Sequence, residues 1–464
     1  MFINVYFLIN NPYFLNFHLI EYNLMLPILK SIVDRIKSTS PLNLENITFV
    51  CVQHLLFTTI DIIESLILLK AKPNNIHIMG KIYSSCPAVV KQLMNIGANY
   101  HPSSRPSQLG YFNDSFNSDL INMWDKITNL IINTNSDTII ILDDGGKTIA
   151  NCPKALKENY QIFVVEQTSS GMSYITKNNI ALPTVNVAYS AAKQLLESPM
   201  IAKAVITKLM PSLPVHTNKA VCGVVGLGVI GRAIVQMLLS LGHTVIVYDK
   251  ICDRYDLLGS VKLMEDKQLL FQEAEYIFGC TGEDITTSID LSKLKGVKNF
   301  ISCSSQDIEF CSLLKMIQDR SYKVIDVLDD IEYSLHTEYP INNSVIRILQ
   351  GGYPINLDNT GESVPAKDIQ LTRGLLFGGV IQAILQLLQN PEPKQYMLDP
   401  ALQKFIVQEL INSQNPEERS SNSPLITHFL NEQWIQNNSS GEYVTNDIII
   451  TLCNRKKNCY RKST

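Results

Sequence analysis

Gly226-Leu227-Gly228-Val229-Ile230-Gly231 is the stretch that decides the fold. It follows an apolar run at 220–225 and leads into an amphipathic stretch at 231–241, the strand, turn and helix context that lifts this motif above chance. Gly226 permits the tight turn, Gly228 lets the backbone approach a pyrophosphate, and Gly231 lets helix and strand pack closely. With Val229 and Ile230 opening the helix, free N–H groups and the positive end of the helix dipole would face the phosphates. A second strand, 244–248, ends on Asp249, about 20 residues downstream, where a carboxylate would bind a ribose 2′-hydroxyl and repel a 2′-phosphate. The spacing therefore predicts NAD rather than NADP, although a ligand-free glycine-rich turn would use the same residues.

Working outward, strands near 276–279, 298–302 and 323–327 complete a dinucleotide-domain rhythm. The same alternation precedes it, with strands at 47–52, 76–79, 138–142 and 160–165, helices at 60–70 and 88–96, and a helix start at 190–196. This is an α/β pattern. The apolar stretch 375–388 is polar only at Gln382 and Gln386, so a helix buried between layers is expected there. The predicted architecture is a Rossmann-type NAD-binding domain, 203–360, inserted into a second α/β, substrate-binding domain, 21–202, completed by 361–390. Residues 1–20 are expected to be an N-terminal extension. Residues 391–464, rich in Asn, Ser, Gln and Pro, are expected to be a peripheral helical appendage.

Of the 464 residues 45% are apolar and 18% charged, which excludes a disordered or fibrous chain. A formal net charge of -4 gives no basic surface for a phosphate backbone, so nucleic acid is not an expected partner. The ten cysteines form no paired Cys-x-x-Cys arrangement, which argues against zinc and a disulfide framework and fits the cytoplasm. Residues 1–20 lack the basic start and clean apolar stretch of a signal peptide, and no membrane helix is expected.

Several segments upstream invite a chemical reading. Gln53-His54 ends one strand and leads through Thr58 and Thr59 into a helix, Asp143-Asp144-Gly145-Gly146 ends another, and Glu166-Gln167-Thr168-Ser169-Ser170-Gly171 ends a third. Ligands of open α/β sheets collect at such strand ends. Lys193 and Glu197 lie one turn apart on a helix. Taken singly, His54 could be a core histidine, the Asp-Asp-Gly run a capped turn, and Lys193 with Glu197 an exposed pair.

In order and approximate spacing these segments, with Asn186-Val187, the glycine turn and Gly351-Gly352-Tyr353-Pro354-Ile355-Asn356-Leu357, resemble the S-adenosylhomocysteine hydrolase family over roughly residues 21–388. The resemblance implies a bound NAD that transiently oxidises a ribose 3′-hydroxyl, followed by elimination and hydration at a nucleoside thioether. It implies catalytic roles for His54, Asp144, Lys193 and Glu197, the last standing where the family usually has aspartate. Thr58, Thr59 and Gln167 would touch substrate. Thr168, Ser169, Ser170 and Asn356 would lie on the nicotinamide side, and Lys456 and Tyr460 keep the spacing of a C-terminal pair that reaches a neighbouring subunit's NAD, implying a homo-oligomer. The chain departs from the family at Leu56, Lys147, Gln167 and Ala188, and Gly80-Lys81 replaces a Cys-Asn pair. An NAD-binding pseudoenzyme with a regulatory or scaffold role is the alternative. A 2-hydroxyacid dehydrogenase would share the dinucleotide domain but gives no reason for the Asp-Asp-Gly-Gly or Thr-Ser-Ser segments.

Overall fold

Fourteen strands among the described residues form two seven-stranded sheets, and each sheet places its first strand near the middle. The computed structural model describes residues 25–39, 42–104, 112–132, 134–209, 220–251, 261–305, 308–319, 337–341, 344–387, 391–414, 426 and 429–430. In the first sheet β1 (Ile47–Leu55), β2 (Ile76–Ser85), β3 (Asn99–His101), β4 (Thr138–Asp143), β5 (Gln161–Glu166) and β6 (Thr184–Asn186) run in the order β3-β2-β1-β4-β5-β6, all parallel. In the second, β7 (Val221–Val225), β8 (Thr244–Tyr248), β9 (Lys262–Leu263), β10 (Tyr276–Gly279) and β11 (Gly296–Ser302) run β9-β8-β7-β10-β11. That sheet ends in β13 (Ser344–Ile348) and an antiparallel edge strand, β12 (Thr337–Ile341). Both are therefore doubly wound sheets of Rossmann order, whose ligand-binding crevice lies where the order reverses, between β1 and β4 and between β7 and β10.

The sequence forms these strands because a parallel sheet covered on both faces rewards continuous apolar β-branched runs. Thr138–Asp143, Thr-Ile-Ile-Ile-Leu-Asp, is buried along its whole length. Helices cover the faces: α1 (Pro27–Thr39), α2 (Phe57–Leu68), α3 (Pro87–Ile96), α4 (Phe112–Ile131), α5 (Ser169–Lys177), α6 (Ser198–Leu209), α7 (Val229–Ser240), α8 (Lys267–Glu273), α9 (Cys311–Asp319), α10 (Ala366–Leu387) and α11 (Pro400–Ser413).

The apolar stretch flagged in the sequence is α10, buried from Ile369 to Gln386 and packed on β4, β5, β6, α1, α2 and α11. A Cβ on Gly379 would stand 2.8 Å from Val187 and 2.9 Å from Val165, so the missing side chain lets the helix lie directly on the sheet. Gln382, an apparent misfit in that run, donates to Met397 O at 2.9 Å and accepts from Asp399 N at 2.8 Å. These bonds anchor β14 (Gln395–Met397), which pairs parallel to β6 and extends the first sheet.

This corrects the expected appendage at 391–464. Its first part is core: β14 closes the sheet edge, and Leu402, Phe405, Ile406, Val407 and Leu410 of α11 are buried against α10 and α1. Polar composition averaged over the tail hides a strand of three residues whose partner, Thr184–Asn186, is remote in sequence. The expected strand at 323–327 and the extension at 1–20 lie outside the described residues. Among the described residues no helix is long and apolar enough to cross a membrane.

Candidate functional site

At the end of β7 the chain turns through Gly226, whose φ of 96° favours glycine and whose N–H donates to Tyr248 O at 2.8 Å. Gly228 precedes α7, no side chain caps that helix, and a Cβ on Gly228 would meet nothing within 4 Å. Val229 and Ile230 form its first turn. A Cβ on Gly231 would fall 1.9 Å from Gly226 O, so helix and turn touch backbone to backbone. Asp249 accepts from Leu227 N at 2.6 Å and from Ile251 N at 2.8 Å, which ties the carboxylate to the turn. Uncapped helix N–H groups, an open approach over Gly228 and a carboxylate at the end of the second strand fit a dinucleotide.

A buried polar cluster stands on the carboxyl ends of the first sheet. β1 and β2 pair at Gln53 and Gly80, then again at Leu55 and Ser85, so β2 spends extra residues between the two contacts. This bulge carries Lys81, Tyr83 and Ser84 over the end of β1, a common way to re-aim side chains beside a site. Lys81, with no exposed side-chain surface, pairs with Asp144 Oδ1. Asp144 Oδ2 accepts from Gln167 Nε2 at 2.6 Å and lies 3.4 Å from His54 Nε2, while His54 Nδ1 is 2.6 Å from Ser84 Oγ. Gln167 Nε2 also reaches Gln53 Oε1 at 3.0 Å, which leaves Gln167 Oε1 buried without a protein partner.

Burial alone would raise the Asp144 carboxyl, but the Lys81 ammonium, His54 and the hydrogen bonds from Lys81 and Gln167 hold it well below the usual carboxylate range. Burial pushes the His54 imidazole down, to about 3, against the pull of Asp144.

Beside this cluster the helix that begins after Ser190 widens into a π-turn over Lys193–Glu197. Lys193 Nζ lies 2.5 Å from Glu197 Oε2, with only 15% and 13% of the two side chains exposed, so the pair is not a solvated one. Glu197 Oε1 accepts from Thr372 Oγ1 at 2.9 Å. The next residue on α10, Arg373, is buried and donates from Nε to Thr58 Oγ1 at 3.0 Å. Burial lowers its guanidinium to about 10, opposed by Asp144, Glu197 and Asp61. His54, Asp144, Lys193 and Glu197 thus come together, joined by two cations: Lys81, marked in the sequence only as a departure from the family, and Arg373, not marked there at all. The available signal was a lysine inside the buried strand Ile-His-Ile-Met-Gly-Lys and an arginine opening the apolar part of a helix.

Some of the expected contact residues also hold the scaffold. Thr59 donates to His54 O at 2.6 Å and accepts from Leu56 N at 3.3 Å, so its hydroxyl is committed to the start of α2 and corrects the expectation that it touches substrate. Thr168 caps α5 by accepting from Gly171 N at 3.0 Å and donates to Glu166 Oε1 at 2.7 Å. Glu166 also accepts from Gly145 N and Gly146 N, at 3.2 and 3.0 Å, and so ties the ends of β4 and β5 together. Burial raises it above the usual carboxylate range, with Asp143 and Asp144 adding to the rise. Asp143 turns inward to Thr148 Oγ1 and Ile149 N, leaving Asp144 as the member of the pair that faces the cluster.

The two sheets meet at these ends. Ser169 and Ser170 are exposed, and Ser170 Oγ lies 3.4 Å from Ser305 Oγ, beyond β11. Tyr83 stacks on Tyr353 with ring centroids 4.7 Å apart. Ile355 N donates to Ser302 O at 3.1 Å, and Asn356 Nδ2 to Ser363 Oγ at 3.0 Å. Lys456 and Tyr460 lie outside the described residues. Among the described residues no group of three or more His, Cys, Asp or Glu is placed to hold a metal ion.

No protein-family model matches the chain. Two curated relatives from Mycobacterium tuberculosis strains, the uncharacterized proteins MT0113 and Rv0104, are each 26% identical over 408 residues, 85% of this chain and 76% of theirs. Among solved structures, an NAD-complexed D-isomer specific 2-hydroxyacid dehydrogenase from Lactobacillus delbrueckii ssp. bulgaricus is 14% identical with a TM-score of 0.34, covering 75% of this chain and 99% of that one. The acyclic imino acid reductase Bsp5, in complex with NADPH and D-Arg, is 14% identical with a TM-score of 0.32 over 67% of this chain and 95% of that one. At these scores the likeness assigns neither reaction nor ligand to this chain.

Proposed function

We propose that the chain binds NAD in the crevice between its two sheets and acts as an adenosylhomocysteinase-type hydrolase on S-adenosylhomocysteine or a related nucleoside thioether. The observation that supports this proposal is the approach of the two carboxyl edges at Ser170 and Ser305, 3.4 Å apart; on this reading the glycine turn and the His54, Asp144, Lys193 and Glu197 cluster would share one crevice.

Gly226, Gly228 and Gly231 with the first turn of α7 would hold the pyrophosphate, and Asp249 the adenosine ribose. A bound nicotinamide supplies a hydride acceptor for a ribose hydroxyl. The Lys193–Glu197 pair sets a carboxylate and an ammonium 2.5 Å apart, an acceptor and a donor that would face such a hydroxyl together. His54 is neutral here, with Nε2 facing Asp144 at 3.4 Å and Nδ1 facing Ser84 Oγ at 2.6 Å, and would orient a substrate group as an uncharged ring.

Asp249→Ala removes the acceptor that joins the turn to the ribose, and NAD affinity is expected to fall about 10- to 100-fold, the worth of a hydrogen bond to a charged group. The NADP affinity should fall less, so calorimetry with both nucleotides reads the effect and its selectivity.

Denatured native protein should release NAD, and incubation with S-adenosylhomocysteine should liberate a free thiol. Lys193→Ala should lower thiol release at least about 100-fold. A second reading, an NAD-binding protein without turnover, is favoured by the engagement of both Asp144 oxygens by Lys81 and Gln167. Released NAD with neither thiol nor substrate-dependent reduction would select it, and a chain that retains no NAD would sink both.

A further inference from the structure

We propose that Lys81 is the resident counter-cation of Asp144 and that, by filling this place, it keeps the neighbouring His54 a neutral imidazole. The inference rests on reading this cluster as the chemical site, but its test requires neither nicotinamide nor substrate.

A carboxylate as enclosed as Asp144, with 2% of its side chain exposed, needs a cation beside it. Two groups are within reach: the Lys81 ammonium on Oδ1, and His54, whose Nε2 is 3.4 Å from Oδ2. An ordinary lysine holds its proton about four powers of ten more tightly than a histidine, so lysine takes the place when both are present. The slip between β1 and β2 delivers Lys81 there with no exposed side-chain surface, and Gln167 adds a neutral donor on Oδ2. His54 is then surplus as a cation.

Three cations around His54 lower its proton affinity, and Asp144 alone opposes them. Asp144 comes from the end of β4, Lys81, Tyr83 and Ser84 from β2, Lys193 from the π-turn and Arg373 from α10, so three cations oppose a single paired carboxylate. Burial and these charges place His54 below its ordinary value. The sign follows directly: the folded state prefers the uncharged ring, so this contribution to stability is complete above about pH 6.5 and is lost as pH falls toward 3.

The test is NMR of the full chain with ring-labelled histidine, the His54 signal being assigned by its loss in His54→Gln. In the native chain the His54 shift should stay constant from pH 5 to 8. In Lys81→Met, His54 becomes the counter-ion that Asp144 lacks. Its proton affinity should rise at least about 100-fold, so that it titrates within the window or stays charged across it. Lys81→Arg should restore the flat profile, a rescue that tracks charge rather than shape. Should Lys81→Met fail to fold, Lys81→Gln, which keeps a donor to Asp144 without the charge, is read in the same way. A native His54 that titrates between pH 5 and 8, or a folded neutral variant whose His54 keeps the shift of a neutral ring across that window, overturns the proposal. Loss of NAD binding or thiol release in the native chain would leave these spectra unchanged, so the two ideas fail separately.

Discussion

Gly231→Ala is expected to abolish dinucleotide retention and to destabilise the second sheet. The new Cβ would lie 1.9 Å from Gly226 O and 3.0 Å from its carbonyl carbon, and neither is a flexible side-chain end that can rotate away. Relief requires α7 to lift off the turn, which strains the Gly226 N bond to Tyr248 O and the Leu227 N bond to Asp249 together. Overpacking of this kind costs about 1–3 kcal/mol, and a backbone-on-backbone clash belongs at the upper end. Gly228→Ala is the matched control. Its Cβ meets no protein atom within 4 Å, so the melting temperature should stay near native while affinity falls, because the methyl group fills the phosphate approach. Thermal melts and NAD titrations on the pair separate the two effects, and a Gly231→Ala protein that melts and binds like the native chain would refute the close contact.

Asp144→Ala should be the most destabilising change in the first sheet. It strands the Lys81 ammonium where no side-chain surface reaches solvent, and removing one partner of a buried ion pair costs about 3–5 kcal/mol. The same logic predicts that Lys81→Met combined with Asp144→Leu recovers much of the loss, since an apolar pair leaves no orphaned charge. Urea denaturation of the single and double variants gives the coupling. A single variant that loses less than about 1 kcal/mol would mean that water reaches Lys81 after all.

The sequence was most informative where local chemistry and fold coincide. The glycine turn, the strand after it and Asp249 lie within one βαβ unit, so spacing alone predicts their meeting. Asp144 and His54 were visible as strand-end residues, and the pairing of β1 with β4 explains why strand ends so far apart in sequence become neighbours. Lys81 showed only as a departure at the Gly80-Lys81 pair, and its role stayed hidden because its position depends on a slip in strand register, which hydrophobic alternation does not encode. Arg373 stayed hidden because a basic residue at the start of an apolar helix reads as a solvated end until the sheet beneath it is known. Thr59 misled in the opposite direction: a hydroxyl beside a candidate histidine looked like a substrate contact, yet the start of α2 consumes it. β14 was lost because three residues carry too little pattern to outweigh a polar tail.

The late arrival of β14 also fixes an order of assembly during synthesis. The strands β7 to β13 are contiguous along the chain, so the second sheet is complete once Ile348 has left the ribosome. The first sheet, although it begins earlier, still lacks the helix that roofs it and the strand that closes its edge, both of which are translated afterwards. On topology alone the middle of the chain can be completed before its beginning, the reverse of the usual amino-to-carboxyl order of domain folding. Until then the free edge of β6 is open to any passing strand, and a message truncated between codons 348 and 395 would release a product with one finished half and one adhesive border.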